Sequence, residues 1–180
     1  NLRSLRYPVD VLFFDAERKP YIDALQWLSS QDGKRTEIIA ASYKAQVAYS
    51  QLFGPEQRWE VPYDQRLELV EGTRILPNAQ PDAQLAAKVM VACPDIIEYG
   101  AEQLFCESLA QSNHTVDQVV MSYVGLAAMD EPVLVEMQNF LAANQEILTD
   151  RQKLWMAVGL AELGDFEGAW QIYRSMEEMF

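Results

Sequence analysis

Apolar side chains recur along most of the chain at intervals of three and four residues, the period of a helix that buries one face. From Pro20, the positions Tyr21, Ile22, Leu25 and Leu28 keep this spacing. Pro20 occupies a tolerated first-turn position and Gln31-Asp32-Gly33 supplies a stop. After Lys34 and Arg35, the residues Ile38, Ala41, Ala45, Ala48, Tyr49 and Leu52 predict a second helix of about 18 residues, closed by Gly54-Pro55. The short connection makes these two an antiparallel pair.

Between Gly54 and Pro81 the period fails. Pro55, Pro62, Pro77 and Pro81 interrupt any long element, Arg66 to Glu71 fits a short helix or a strand, and Trp59 is placed to anchor the segment on the core. Val9 to Phe14 is similarly ambiguous between a strand and a buried helical turn. From Asp82 the helical period returns in Leu85, Val89 and Ala92, and Pro94 starts or kinks a helix through Ile97, Ala101 and Leu104. Past the loop at Gln111-Ser112-Asn113, the stripe Val116, Val119, Val120, Tyr123 and Ala127 begins where Thr115 or Asn113 can cap. Asp130-Glu131-Pro132 then turns the chain into Val133, Met137, Leu141 and Leu148. Thr149-Asp150 opens Leu154, Ala157, Val158 and Ala161, which stops at Gly164, and the last stripe is Phe166, Ala169, Trp170, Tyr173 and Phe180. The predicted fold is all-α, a right-handed stack of antiparallel helical hairpins (an α/α superhelix or partial toroid) of about eight helices. It comprises a hairpin at 1–53, an irregular connection at 54–81 and a helical region at 82–180, together forming one compact unit.

Charge changes this picture more than composition does. With 180 residues, 49% hydrophobic and 23% charged, the chain is ordinary for a globular domain, and no apolar run approaches the about 18 residues of a membrane helix. It starts at Asn1 without Met and stops at Phe180 directly after an amphipathic stretch, so a piece of a longer protein is expected. The net charge is −13, and residues 91–180 hold 15 acidic against 3 basic side chains, where residues 1–90 hold 12 and 11. A chain this acidic repels phosphates, so neither nucleic acid nor an anionic membrane is an expected partner. Two uses of the acidic surface stand open, a solvated face that maintains solubility and a docking surface for a basic protein partner. Cys93 and Cys106 cannot form a disulfide framework. On one continuous helix they would lie roughly 20 Å apart, which predicts two buried free thiols and leaves cytoplasmic and extracellular compartments both open.

Gly164-Asp165-Phe166-Glu167-Gly168-Ala169-Trp170-Gln171-Ile172-Tyr173 resembles the inter-helix turn and second helix of a tetratricopeptide repeat, a helix-turn-helix unit of 34 residues. Phe166, Ala169 and Tyr173 match its aromatic, small and aromatic positions. Ala157 matches the small first-helix position, Leu160 takes a site usually held by an aromatic, and Lys153 departs from the expected apolar residue. Gly125-Leu126-Ala127 recurs as Gly159-Leu160-Ala161 at an offset of 34, an upstream copy whose turn has Pro132 in place of an aromatic. A second segment, Ala24 to Gly33, is similar to the helix end and turn repeated in α/α toroids such as the thioester domains of complement-like proteins and the terpenoid cyclases. Neither a Cys-Gly-Glu-Gln thioester signature nor an Asp-rich cyclase motif accompanies it. Both resemblances imply stacked hairpins, and the first implies protein binding.

Candidate chemistry is sparse. His114 is the single histidine and sits in a loop, so a triad or zinc site would have to be built around it, and a solvent-exposed helix-start residue is the expectation. Asp95, Glu98 and Glu102 would share one helix face, the raw material of a paired-carboxylate glycosidase. The aromatics Trp155, Phe166, Trp170, Tyr173 and Phe180 read as core or hairpin interface. No catalytic, cofactor-binding or metal-ligating residue is assigned and no cofactor is expected. The expected function is a non-catalytic protein-interaction or scaffolding module. The alternative is a carbohydrate- or lipid-active α/α enzyme domain using paired carboxylates. The last helix presents apolar side chains on two faces, so Ile172, Met176 or Met179 is expected to be exposed or buried against other domains of the chain or a second copy in a homodimer.

Overall fold

The structure is a computed structural model that describes residues 18–31, 33, 35–53, 74, 76, 79–94 and 100–177. These form eight helices and no strand: α1 (Lys19–Ser29), α2 (Thr36–Phe53), α3 (Ala83–Ala92), α4 (Ala101–Ala110), α5 (Val116–Ala128), α6 (Leu134–Asn144), α7 (Asp150–Glu162) and α8 (Phe166–Glu177). The chain is an all-α stack in which neighbouring helices pack on one another. The ambiguous segments 9–14 and 66–71, together with Trp59, lie outside the described residues.

Pro20 sits in the first turn of α1, as its fixed φ allows, and the hydroxyls of Ser29 and Ser30 bond back to the carbonyls of Gln26 and Trp27 to close the other end. α2 returns antiparallel. Gln26 Nε2 donates to the Tyr49 hydroxyl at 3.0 Å, and Ser42 Oγ donates to the Ser29 carbonyl at 3.1 Å. A cluster of Ile39 and Ala40 with Leu85, Val89 and Cys93 joins α2 to α3.

The layer α3, α5, α7 forms the spine of the rest. Asp82 caps α3 through bonds from the Gln84 and Leu85 amides. Thr115 and Thr149, 34 residues apart, each close a reciprocal capping box with Gln118 and Gln152. The N-termini of α5 and α7 lie side by side, since Gln152 Nε2 donates to Asp117 Oδ1 at 2.7 Å. The C-termini repeat the correspondence. Asp130 and Gly164, again 34 apart, both have positive φ, and each is followed by an amide that bonds five residues back, Glu131 to the Leu126 carbonyl and Asp165 to the Leu160 carbonyl.

Helices α4 and α6 seat one large side chain each on a glycine of the spine. Phe105 of α4 lies over Gly125, where a Cβ would stand 2.3 Å from its ring, and Met137 of α6 lies over Gly159. Phe105 belongs to a cluster with Ala86, Ala87, Met90, Ala101, Met121 and Leu126, and Met137 to one with Val120, Val124, Ala127, Leu148, Met156 and Leu160. Trp155, half-buried, touches both and makes the two cores continuous.

Three expectations need correction. Cys93 and Cys106 do not share a helix: Cys93 caps α3, Gly100 with φ 108° opens α4, and Cys106 is exposed on α4 while only Cys93 is buried. Phe166, Trp170 and Tyr173 are not core but exposed, at 70%, 53% and 45%. The opposite stripe of α8 goes inward, with Met176 buried within the single chain and Ala169 and Ile172 packed on the second cluster. The smaller side chains let α8 approach α7 closely, which the aromatic stripe would prevent. Met179 and Phe180 lie outside the described residues.

Candidate functional site

The turn from α7 into α8 is built around Asp165. Its Oδ1 accepts from the Gly168 amide at 2.9 Å, capping α8, and its Oδ2 accepts from Gln138 Nε2 of α6 at 2.9 Å. Gly168 makes this approach possible, because a Cβ there would stand 2.6 Å from Oδ2. One carboxylate thereby bridges α6 and the start of α8, both of which pack on α7.

Between α6 and α8 lies a groove of about 540 Å³. Gln138, Leu141 and Gln145 form the α6 wall, Gln171, Ile172 and Ser175 the α8 wall, and Lys153 and Leu160 of α7 line it between them. Gln138 on α6 and Gln145 at its C-cap stand seven residues apart, about two turns along one face. The lining thus alternates apolar surface with amide groups that both donate and accept. Lys153, at odds with the repeat pattern by its charge, is half-buried and has no carboxylate within 4.0 Å among the described residues. Lys153 lines the groove, so its ammonium can donate to a ligand's oxygen there. Glu167 joins Asp165 on the α8 rim.

The groove lining carries two carboxylates, Asp165 and Glu167, against one ammonium, Lys153. Among the described residues the two ion pairs are Lys19 with Asp23 and Arg35 with Glu37, both far from it in sequence. Asp117, Asp130, Glu136, Glu146, Asp150, Glu162 and Glu167 are exposed without an ion-pair partner. Burial pushes the Tyr123 phenol up, and the carboxylate of Glu136 adds to the effect.

His114 is exposed in its loop, as expected. Of the proposed carboxylate triplet, Glu102 is exposed on α4, and Asp95 and Glu98 lie outside the described residues. No group of three His, Cys, Asp or Glu side chains among the described residues could hold a metal ion, and no described helix is long and apolar enough to cross a membrane. The groove amides were not singled out from the sequence. Gln138 and Gln145, an i, i+7 pair on one helix face, are the signal that was there to find. Compared with protein-family models, with curated proteins and with solved structures, the chain matches none.

Proposed function

We propose that this protein is a non-catalytic interaction module and that the α6–α8 groove receives an extended, basic segment of a protein partner. The observation that carries this is the groove itself, lined by amides, apolar carbons and the carboxylates of Asp165 and Glu167, neither of which has an ion-pair partner among the described residues. Amides at Gln138, Gln145 and Gln171 can bond successive peptide groups of an extended chain, and Lys153 can donate to one of its carbonyls. Lys or Arg side chains of the partner then meet Glu167 and the acidic surface, which speeds encounter and selects for basic sequences. Asp165 is held by two hydrogen bonds in a capping role, which favours structure over acid–base chemistry at this carboxylate.

We further propose that α5–α6 and α7–α8 are two units of one tetratricopeptide-like repeat. The shared capping boxes, the shared glycines under α4 and α6, and the shared positive-φ termini, each recurring at 34 residues, support it.

A peptide array tests the binding reading. Basic extended peptides are expected to bind, acidic ones of equal length not to, and affinity is expected to fall as salt rises to about 0.5 M, where exposed charges are screened. Glu167→Lys is expected to weaken binding, and affinity indifferent to both salt and this substitution would overturn the assignment.

A further inference from the structure

A second concavity lies at the other end of the stack, among α1, α2 and α3. It holds about 430 Å³, within the range of small-molecule sites. Its walls are aliphatic, with Leu25 and Leu28 from α1, Ala41 and Ala48 from α2, and Leu85 and Val89 from α3. The apolar part of the α2 wall is made of small side chains, Ala40, Ala41, Ala45 and Ala48.

Three charged residues line this groove: Glu37, Lys44 and Lys88. Glu37 is paired through one oxygen, because Arg35 Nε donates to its Oε1 at 2.7 Å, while its Oε2 is buried with no hydrogen-bond partner among the described residues. Lys44 and Lys88 have no carboxylate within 4.0 Å among the described residues. The balance left at the rim is positive, in a chain whose net charge is −13.

An apolar slot edged by two ammonium groups with no ion-pair partner among the described residues suits a ligand with an alkyl body and an anionic head. We propose that this groove binds a free fatty carboxylate, with the chain along Leu25, Leu28, Leu85 and Val89 and the carboxylate between Lys44 and Lys88. The site is independent of the α6–α8 groove and uses none of its residues.

The test is titration of the whole chain with sodium dodecanoate below its micelle concentration, followed by calorimetry. One-to-one saturable binding is expected, with decanoate about tenfold weaker for the loss of two methylenes. Dodecyltrimethylammonium, the same chain with a cationic head, is expected to give no saturable heat. Ala41→Phe, at an exposed wall position, is expected to abolish binding while leaving the circular dichroism spectrum unchanged. The double variant Lys44→Glu/Lys88→Glu is expected to weaken it about tenfold. No saturable dodecanoate heat, equal binding of the cationic amphiphile, or full binding by a folded Ala41→Phe variant would each overturn the proposal. So would capture only by vesicles of anionic phospholipid, or binding of acidic amphipathic peptides in preference to dodecanoate.

Discussion

Substituting alanine at Gly125 and at Gly159 makes the same chemical change at equivalent places on α5 and α7, yet the two are expected to differ. In a helix interior the change by itself stabilises by about 1 kcal/mol. At Gly125 the new methyl would stand 2.3, 2.5 and 2.7 Å from three ring carbons of Phe105, against an ordinary contact of about 3.5–4.0 Å. The ring must retreat by about 1 Å, and it is fully buried against Ala86, Ala87 and Met90. Overpacking of a rigid, enclosed group belongs at the upper end of its usual range, about 3 kcal/mol, which leaves Gly125→Ala destabilised by about 2 kcal/mol. At Gly159 the close atom is the terminal methyl of Met137 at 2.5 Å, while its sulfur and the Val124 Cα are both at 3.5 Å. A methionine can swing that methyl aside at a cost of about 1 kcal/mol, which the helix preference offsets, so Gly159→Ala is expected near zero. Urea unfolding with an unchanged m-value would measure both, and the melting temperatures should separate by about 4–8 °C for a chain of this size. Phe105→Leu in the Gly125→Ala background should recover part of the loss, in a double-mutant cycle with coupling of about 1 kcal/mol or more. Equal effects at the two sites, or a stabilised Gly125→Ala, would refute the packing argument.

Ser122 is fully buried on α5 and its hydroxyl has no hydrogen-bond partner among the described residues, so Ser122→Ala is expected to stabilise by about 1 kcal/mol, read from the denaturant midpoint. A maleimide reagent is expected to label Cys106 at once and Cys93 only on unfolding, because the first is exposed and the second is 1% accessible. Mass spectrometry of digested protein distinguishes them. Burial raises the Glu37 carboxyl, but the Arg35 hydrogen bond and charge, with Lys88 behind them, outweigh it and leave the group below the ordinary glutamate value. Its folded pKa is therefore depressed, so its contribution is present above the unfolded value and lost as pH falls through the folded one. Glu37→Gln should make the acid limb of a stability-against-pH curve shallower, by a modest amount because the side chain is 41% exposed.

Several elements could be read directly from the chain because their causes are local. Thr115 with Gln118 and Thr149 with Gln152 are capping boxes visible in a four-residue window, and the offset of 34 between them accompanies the glycines on which Phe105 and Met137 rest. Helix α8 was legible as a helix but not in orientation. Its two apolar stripes are comparable by period, and the approach of α7 selects the one with Ala169, Ile172 and Met176. The other leaves Trp170 stacked on Tyr173 at 5.4 Å, with Arg174 5.3 Å above the indole. The break between Cys93 and Cys106 was marked by Pro94 and Gly100, but a continuous apolar period ran across them. The groove was not legible, since Gln138 and Gln145 look like any solvated pair until Asp165 bridges α6 and the start of α8.

The docking assignment rests on the α6–α8 groove, and side-chain amide resonances report on it directly. In a titration of the labelled chain with a basic extended peptide, followed by heteronuclear NMR, the amide groups of Gln138, Gln145 and Gln171 are expected to shift together and saturably, with those of Gln26 and Gln46 on the distant α1–α2 pair unmoved. Shifts confined to the α1–α2 pair, or spread evenly over the acidic surface without saturation, would contradict it.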